Sequence, residues 1–334
     1  MKIRELGEFA FIDRVLAAAG REKTPVVLGI GDDASILAPE PGRELLVTTD
    51  MLMEGVHFLR ESTPPEDLGY KSLVVNLSDI AAMGGKPIQA YLSLALTSET
   101  EVEEMDRFIK GFLEAAGDSV QLSGGDTVSS KAGWAISVTV VGDVKEGAAL
   151  RRDAAAVGDI IYLSGPTGES AAGLAFLLDQ ISLKDSTAEP LIRAHNRPVP
   201  ELDLGSVLSE SGLCACAIDI SDGLIQDLDH ICKASSVGAR LFLDKIPLTD
   251  ELIQAAKAAK TDPYRWPLTG GEDYRLLFTI QEKNIKALEE ALKGLDPGIQ
   301  PIGIIEQGES IQLFDRGRRV PVPEKGGHDH FRKE

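Results

Sequence analysis

Alternating apolar and polar positions divide the first half of the chain into strands and amphipathic helices. Residues 44–50 (ELLVTTD), 89–96 (QAYLSLAL) and 134–144 (WAISVTVVGDV) are apolar segments that predict strands. Helical spacing of apolar residues predicts one helix over 67–87, which stops at a Gly-Gly pair, and another over 101–117, whose first turn is acidic. Strands and helices therefore alternate, as is typical of an α/β protein.

The second half shows the same kind of alternation, with no short repeat. Residues 158–178 (GDIIYLSGPTGESAAGLAFLL) predict a strand, a glycine-rich turn and a helix. Residues 184–201 (KDSTAEPLIRAHNRPVPE) predict a polar, proline-containing connection. Residues 214–235 predict a strand running into a helix, with Ser221 as a candidate N-cap.

The composition fits two domains or one large α/β domain. With 334 residues, of which 43% are hydrophobic and 26% charged, the chain is long enough to bury a substantial core. We place a domain boundary after the strand at 134–144, which gives domains over 1–147 and 148–334.

The charge of the chain restricts its partners. A formal net charge of −19 repels phosphate backbones and anionic lipid, so we expect neither nucleic acid nor a membrane surface as the main partner. No apolar stretch approaches the roughly 18 residues of a transmembrane helix. The N-terminal residues MKIRELGEFAFIDRV carry charges too early for a signal peptide. We therefore expect a cytoplasmic protein, in which any phosphorylated ligand needs cations beside it.

The three cysteines do not suggest a disulfide framework. Cys214 and Cys216 alternate in the apolar segment LCACAIDI, and Cys232 lies in the helical pattern that follows. Small thiols in such positions are typical of buried core residues. We predict structural cysteines rather than a disulfide or a metal site.

Aspartates recur where predicted elements end or turn. Asp33, in VVLGIGDDAS (26–35), follows a glycine turn beside a second carboxylate, so the pair is either solvated or next to a cation. Further aspartates in comparable positions are Asp50, Asp79, Asp126, Asp219 and Asp222. Carboxylates on fixed backbone suit Mg²⁺, which also bridges to phosphate oxygens. Aspartate and glycine are equally ordinary turn chemistry, so spacing alone leaves both interpretations open.

The familiar nucleotide-binding motifs are absent. The sequence has no G-x-x-x-x-G-K-[ST] loop, no kinase H-R-D and D-F-G pair, and no G-x-G-x-x-G after a strand. Residues 164–170 (SGPTGES) either present backbone amides to an anion or simply connect a strand to a helix. In DISDG (219–223) the glycine comes one position too early for an EF-hand.

Several segments nevertheless occur together in a specific order: GIGDDAS, TTDMLMEGVHF, YKSLVVNLSDIAAMGGKP, GGDT, SAAGLAFL, AIDISDGLIQDL, GGEDYRLLF and DHF. In order and approximate spacing they resemble the bacterial thiamine-monophosphate kinases, over roughly residues 7–331. That family belongs to the superfamily of aminoimidazole ribonucleotide synthetase, selenophosphate synthetase and a hydrogenase maturation protein. Single segments are weak signals, whereas NLSDIAAMG, IDISDGL and GGED in this order are specific.

The resemblance implies a two-domain aminoimidazole ribonucleotide synthetase-like α/β fold, with N-terminal strands forming a barrel in a homodimer. It implies ATP-dependent phosphorylation of thiamine monophosphate to thiamine diphosphate by direct in-line transfer. Several Mg²⁺ ions assist, and we expect neither a covalent intermediate nor a dedicated catalytic side chain. The residues that match the family's magnesium positions are Asp33, Thr48, Asp50, Asp79, Asp126, Asp219 and Asp222.

The resemblance also implies ligand-binding residues. Those on the nucleotide side are Thr49, Gly125, Asp126, Arg152 and Ser221. Those on the substrate side are His57, Glu272 and His328. Arg151 is the alternative to Arg152 for a phosphate contact, and the Ser221 hydroxyl can serve a phosphate, a helix cap or both.

One position departs from the family. An aromatic residue usually stands just before DHF and stacks on the substrate, whereas this chain has His328. Imidazole buries less area than a larger aromatic ring, so we expect weaker substrate affinity unless Phe331 shares the role.

Two other functions are distinguishable. A sister ATP-dependent synthetase that activates a different small acceptor is the main alternative, but residues 1–50 lack the cysteine of selenophosphate synthetases. The sequence ends in HFRKE rather than in the cysteine of the hydrogenase maturation protein. A non-catalytic acidic protein that binds divalent ions would bind Mg²⁺ without forming ADP.

Overall fold

The structure is a computed structural model that describes residues 1–20, 24–30, 34–295 and 298–323. These residues form two compact units. The first contains residues 1–80 and 85–147, and the second contains 81–84 and the described residues from 148 onward. Both units combine helices with a β-sheet, so the predicted α/β class is confirmed.

The first unit is built on a four-stranded sheet. In chain order its elements are α1 (Ile3–Leu6), α2 (Glu8–Ala19), β1 (Val26–Leu28), β2 (Ile36–Leu37), β3 (Arg43–Met53), α3 (Pro65–Ala82, whose last two residues belong to the second unit), β4 (Lys86–Thr97), α4 (Val102–Ala116), β5 (Gln121–Ser130) and β6 (Ala135–Lys145). The strand order is β3-β6-β4-β5, so β3 and β5 are the two edges, and β1 and β2 form a separate two-stranded sheet. The β4–β5 pair is parallel, and the other two pairs are antiparallel.

Two helices cover one face of this sheet. A Cβ on Gly142 of β6 would lie 3.2 Å from the Ile80 side chain, which shows how closely α3 packs on the strands. A Cβ on Gly69 would meet the Phe108 carbonyl at 1.9 Å, and one on Gly111 would meet the Glu66 carbonyl at 1.8 Å. Glycine at both positions therefore lets the backbones of α3 and α4 touch. From Leu68 onward α3 is buried nearly all round, and its buried residues include the polar Lys71, Ser72, Asn76 and Ser78.

The opposite face of the sheet is open at β3. Side chains alternate across a strand, so every second residue of β3 points away from the helices. Four of these are large hydrophobic residues with high exposure: Leu45 (46%), Val47 (66%), Met51 (57%) and Met53 (44%). Thr49 lies between Val47 and Met51 on the same face, so the stripe is apolar except at that one position.

The second unit is built on a seven-stranded sheet. In chain order its elements are β7 (Ile160–Leu163), α5 (Glu169–Leu177), α6 (Asp185–Asn196), α7 (Leu202–Ser211), β8 (Cys214–Asp219), α8 (Leu224–Ser235), β9 (Gly238–Phe242), a 3₁₀ turn (Leu243–Lys245), α9 (Asp250–Ala259), α10 (Arg265–Thr269), β10 (Leu276–Ile280), a 3₁₀ turn (Glu282–Asn284), α11 (Ile285–Ala291), β11 (Gln300–Glu306), β12 (Ile311–Asp315) and β13 (Arg318–Val320). The strand order is β13-β12-β9-β11-β7-β10-β8. Only β9 and β12 pair in parallel among these described strands.

Apolar side chains cover both faces of this sheet. Leu224, Leu228 and Ile231 of α8 belong to one buried cluster. Leu204 and Leu208 of α7 belong to the cluster that also contains Phe278 of β10. All five residues of β10 are buried, which explains the continuous apolar sequence LLFTI in place of an alternating one.

The connection predicted over 184–201 is wrong in part, because residues Asp185–Asn196 form α6. Thr187, Ala188, Leu191 and His195 are buried in this helix and recur at helical spacing. The polar residues between them face solvent and mask the pattern. Pro190 lies at an exposed position inside the helix and withholds one backbone N–H.

The cysteines are structural, as predicted. Cys214 and Cys216 in β8 and Cys232 in α8 are buried, and none of them forms a disulfide bond. Burial raises the pKa of the Cys214 and Cys216 thiols to about 12, so neither is a thiolate at neutral pH. None of the helices in the described ranges has the length and apolar character needed to cross a membrane.

Candidate functional site

Three of the predicted metal-binding residues meet in the first unit. Thr48 and Asp50 stand two residues apart on β3 and therefore point to the same face of the sheet, the face that α3 covers. Asp79 lies in the last turns of α3. The Thr48 Oγ1 hydroxyl donates a hydrogen bond to Asp79 Oδ2. The sequence indicated that Asp50 is the last residue of its strand. This is wrong, because β3 continues to Met53.

The electrostatics of this cluster favour a cation. Burial raises the pKa of Asp50 to about 6, and the negative charge of Asp79 adds to the shift. Two carboxylates and a hydroxyl offer only oxygen ligands, the kind that Mg²⁺ prefers. A bound cation would offset the repulsion between the two carboxylates, so these residues fit a magnesium ion.

Thr49 lies apart from that cluster. As the residue between Thr48 and Asp50, it points to the open face of the sheet. Its hydroxyl lies 3.2 Å from the Val138 carbonyl oxygen and 3.0 Å from Thr139 Oγ1 on the neighbouring strand. The role of Thr49 in ATP binding stays a prediction.

Asp126 lies on the edge of the sheet opposite to Asp50. It falls inside β5 rather than at a turn, and its Oδ1 accepts a hydrogen bond of 2.8 Å from the Thr127 N–H. Three strand spacings separate β3 from β5, about 14 Å at the usual strand separation. The first unit therefore does not bring Asp126 next to Asp50. At Gly125, a Cβ would lie 1.8 Å from the Leu92 carbonyl oxygen, so packing on β4 already requires a glycine.

His57 has a defined tautomer. Its Nδ1 accepts a hydrogen bond of 3.0 Å from the Met53 N–H, which leaves Nε2 as the protonated nitrogen of the neutral ring. The turn after β3 thus orients an N–H donor, a group that suits a phosphate or carbonyl oxygen.

In the second unit, the loop DISDG (219–223) is held from beneath by one carboxylate. Asp227 Oδ2 accepts hydrogen bonds from the backbone N–H groups of Ser221 (3.0 Å), Asp222 (3.1 Å) and Gly223 (3.1 Å). The predicted N-cap role of Ser221 is wrong, because α8 begins at Leu224 with Gly223 as its N-cap. Asp227 takes up the amides that a cap would bind, and the Ser221 hydroxyl is not needed there.

The carboxylates of this loop lie close together. Asp219 ends β8 and is buried, and Asp222 Oδ2 accepts a hydrogen bond of 2.9 Å from Gln226 Nε2. Asp222, Asp227 and His230 each offer one ligand atom, and these atoms lie within 4.8 Å of one another. Burial raises the pKa of Asp227 to about 8, and the charges of Asp219 and Asp222 add to the shift. The loop concentrates negative charge where a cation can bind.

A second loop, GGED (270–273), is fixed on the first. The Glu272 N–H donates to the Ser221 carbonyl oxygen at 2.8 Å, and the Tyr274 N–H donates to the Ile220 carbonyl oxygen at 2.8 Å. A Cβ on Gly271 would lie 2.2 Å from the Ser221 carbonyl oxygen, so only glycine allows this approach. Glu272 itself has a φ of +65°, which costs a non-glycine residue about 1 kcal/mol. The contacts with the DISDG loop hold it in that conformation.

Asp273 decides between the two interpretations of SGPTGES. Its carboxylate accepts hydrogen bonds from the backbone N–H groups of Gly168 (2.6 Å) and Ser170 (3.3 Å) at the start of α5. Burial raises the pKa of Asp273 to about 7. Because the protein's own carboxylate occupies these amides, the segment is a strand-to-helix connection and not an anion site.

The Glu272 side chain has a buried neighbour. Glu272 Oε2 lies 3.4 Å from Nδ1 of His195, in the last turn of α6. The same nitrogen lies 3.0 Å from Oγ of Ser170. Both His195 and Ser170 are buried, whereas the Glu272 side chain is 28% exposed. Glu272 therefore joins a buried polar pair to the surface.

The two neighbouring arginines differ in their partners. Arg151 forms a two-point ion pair with Asp153 through Nε (2.8 Å) and Nη2 (2.6 Å). The exposed Arg152 side chain has no ion-pair partner among the residues the structure describes. Its backbone is anchored, because the Arg152 carbonyl oxygen accepts a hydrogen bond of 2.8 Å from Ser235 Oγ. This difference favours Arg152 for a contact with a phosphate.

Some predicted residues fall outside the described ranges, namely Asp33, His328 and Phe331. Conversely, the sequence interpretation missed Asp227, Asp273 and His195 as parts of the site. The sequence did contain a signal for Asp227, because an acidic residue four positions after Gly223 falls in the first turn of the predicted helix. His195 had none, because it reaches Glu272 only through the fold.

The family models match both halves of the chain. Residues 31–144 match the AIR synthase related protein, N-terminal domain. Residues 156–316 match the AIR synthase related protein, C-terminal domain. In sequence, the chain is 40% identical over 336 residues to the thiamine-monophosphate kinase of Salmonella typhimurium, covering 97% of this chain and 98% of that one.

Solved structures agree with this similarity. The crystal structure of thiamine-monophosphate kinase from Stenotrophomonas maltophilia has a TM-score of 0.82 and 36% identity, covering 94% of this chain and 98% of that one. A structure described as AaThiL complexed with AMPPCP and TMP has a TM-score of 0.76 and 34% identity, covering 98% of this chain and 99% of that one.

Proposed function

Because this chain belongs to the thiamine-monophosphate kinase family, we propose that it transfers the γ-phosphoryl group of ATP to the phosphate of thiamine monophosphate. The products are thiamine diphosphate and ADP. The observation that carries the proposal is similarity over nearly the full length of kinases with this activity, together with a related structure described with AMPPCP and TMP. A sister activity on another acceptor remains the alternative that the experiment below separates.

The reaction needs positioning and charge neutralisation more than proton transfer. A terminal oxygen of thiamine monophosphate attacks the γ-phosphorus as the bond to the β–γ bridging oxygen breaks, and ADP leaves with that oxygen. Since the second pKa of a phosphate monoester is about 6, the attacking oxygen is already deprotonated at neutral pH. A general base is therefore not required. For this reason the proposal, like the prediction from the sequence, assigns no dedicated catalytic side chain.

Mg²⁺ is part of this proposal. Residues of the first unit that would hold it are Thr48, Asp50 and Asp79, and those of the second unit are Asp219 and Asp222. Asp33 and Asp126 stay predicted ligands. When bound, Mg²⁺ neutralises phosphate charge and aligns the two anions. The observation in favour is that each unit holds a buried carboxylate near others: burial raises the pKa of Asp50 and of Asp227, and the charges of the neighbouring carboxylates add to both shifts.

The remaining residues are assigned by chemistry. Arg152 offers a guanidinium that pairs two phosphate oxygens, and Ser221 offers a hydroxyl beside Asp222. His57 offers a donor at Nε2 for the acceptor phosphate. Glu272 offers a carboxylate that suits a cationic thiazolium or an aminopyrimidine.

We also propose a homodimer through the open face of the first unit. The exposed Leu45, Val47, Met51 and Met53 on β3 support it, since water is an unfavourable neighbour for so many adjacent apolar side chains. Both edges of the four-stranded sheet, β3 and β5, have no further strand beside them among the described residues and can extend into a second copy. The cytoplasmic location stays a prediction from the sequence.

The deciding experiment is ADP release from ATP and Mg²⁺ with thiamine monophosphate as acceptor, with the product mass determined. Thiamine, an aminoimidazole precursor and selenide serve as control acceptors. Thiamine diphosphate formed only with thiamine monophosphate supports the proposal. ADP release only with another acceptor would assign a sister activity, and Mg²⁺ binding without ADP release under every condition would favour a binding protein.

A further inference from the structure

His195 lies behind the carboxylate that we assign to the substrate. Its Nδ1 lies 3.0 Å from Ser170 Oγ and 3.4 Å from Glu272 Oε2. We propose that His195 is a positioning residue that holds the Glu272 carboxylate in the orientation required to bind the thiamine moiety. This inference rests on the proposed function, because it deepens the role given there to Glu272.

The protonation state of His195 follows from its two neighbours. A deprotonated Nδ1 would direct its lone pair at a carboxylate 3.4 Å away, which is repulsive. An Nδ1–H instead points a donor at Glu272 Oε2 and at the Ser170 hydroxyl oxygen, which then acts as an acceptor. This holds for the neutral ring and for the imidazolium, so the interaction does not depend on the charge of His195.

The burial of the pair makes the contact effective. The His195 side chain is 7% exposed and the Glu272 side chain 28% exposed, so the imidazole cannot easily exchange Glu272 for water. A free glutamate side chain has three rotatable bonds, and fixing it on a buried donor removes rotamers that cannot reach a ligand. The entropy of ordering the carboxylate is then lost on folding rather than on substrate binding.

The backbone supports the same conclusion. The Glu272 N–H is bound to the Ser221 carbonyl oxygen, and the adjacent Asp273 carboxylate binds the Ser170 N–H. Ser170 therefore contacts the Asp273 carboxylate through its backbone N–H and the His195 ring through its hydroxyl, and that ring lies beside the Glu272 carboxylate. The start of α5 and the end of α6 together form a rigid support for the substrate side of that loop.

The test compares His195→Met, which keeps the volume but removes the donor, with His195→Asn, which keeps an N–H donor near the Nδ1 position. We expect H195M to raise the KM for thiamine monophosphate about tenfold, the factor for one lost hydrogen bond to a charged group. The kcat and the KM for ATP should change by less than about threefold. H195N should restore the KM for thiamine monophosphate to within about threefold of wild type.

A double-mutant cycle with Glu272→Gln shows whether His195 acts through Glu272. We expect H195M to add little to the KM effect of E272Q, because the group it positions has already changed. An unchanged KM for thiamine monophosphate in H195M, an equal rise in the KM for ATP, or additive effects in the cycle would each overturn the inference. If E272Q raises the KM for thiamine monophosphate but H195M does not, the inference about His195 is refuted and the proposed function is not. If the wild-type protein forms no thiamine diphosphate, the proposed function is refuted as well.

A measurement on the wild type covers the case in which H195M does not fold. Nitrogen-15 NMR of histidine-labelled protein reports the protonation of each ring nitrogen, and H195N identifies the His195 signals. A protonated Nδ1 whose resonance shifts in E272Q supports the inference. An unprotonated Nδ1 at neutral pH, or a resonance that E272Q does not move, overturns it.

Discussion

The Glu272 N–H donates a hydrogen bond of 2.8 Å to the carbonyl oxygen of Ser221, and this bond fixes two loops together. One loop carries Asp219, Ser221 and Asp222, and the other carries Glu272. The sequence separates them by some fifty positions, and neither loop has regular secondary structure to hold it. Their mutual hydrogen bonds, with Gly271 allowing the close approach, set the relative position of a metal-binding and a substrate-binding candidate.

Asp222→Asn should lower turnover about 10²–10³-fold, because the loss of one charge-stabilising group in a transition state typically has an effect of this size. The substitution keeps the shape of the side chain, so the thermal unfolding temperature should be close to that of the wild type. Steady-state ADP release measures the effect. Asp203→Asn, at an exposed position in the first turn of α7, is the matched control and should be fully active. Turnover close to wild type in D222N would remove Asp222 from the proposed metal site.

Glu272→Gln should raise the KM for thiamine monophosphate by about tenfold and the KM for ATP much less, since it removes the charge that faces a cationic substrate. Initial rates with each substrate varied in turn separate the two constants. Glu309→Gln, at an exposed position after β11, serves as the control. If both KM values rose together, Glu272 would have a structural role instead.

Asp227→Ala should destabilise the protein by about 2–4 kcal/mol, because three backbone N–H groups lose their common acceptor. Urea unfolding measures the free-energy difference. Asp229→Ala removes a carboxylate on the same helix that pairs with Lys233, and it should cost less because the three loop amides keep their acceptor. An Asp227→Ala protein as stable as Asp229→Ala would show that the loop holds its shape without this acceptor.

The stability of the metal-free protein should fall as the pH rises through 6. In the folded protein the pKa of Asp50 is about 6, above its unfolded value of about 4. Its stabilising contribution is therefore present below about pH 4 and is lost as the pH rises through about 6. Mg²⁺ should restore stability, so it should raise the thermal unfolding temperature more at pH 7.5 than at pH 5. Asp50→Asn should weaken this pH dependence. If Mg²⁺ raised the unfolding temperature of the wild type equally at pH 5 and pH 7.5, the prediction would be wrong.

Val47→Asp should convert the proposed dimer to monomers, because Val47 is 66% exposed within one chain and would carry a charge into the apolar interface. Light scattering after size-exclusion chromatography should then give a mass of 35.8 kDa in place of twice that value. Val199→Asp changes a valine of similar exposure (63%) in the second unit and should leave the dimer intact. A monomeric wild type, or a dimeric V47D, would contradict the proposed interface.

The sequence by itself determined what depends on local pattern. Apolar periodicity gave the long elements, such as α4 from the amphipathic residues 101–117 and β6 from the apolar residues 134–144, because one face of each is buried and the other is not. The pattern failed at α6, whose buried positions are separated by charged residues and a proline. The specific order of segments such as NLSDIAAMG and IDISDGL gave the family, since these residues serve chemistry rather than a generic fold.

Only the tertiary structure decided which side chains meet. Thr48 and Asp79 are 31 positions apart, and a helix packed on a strand joins them. The two edges of one sheet keep Asp126 away from Asp50, although a list of aspartates suggests a single cluster. The contacts of Asp273 with the start of α5, and of His195 with Glu272, depend on where loops and helix ends come together. No local pattern encodes such contacts, because they are satisfied by whichever donors and acceptors the folded chain brings within reach.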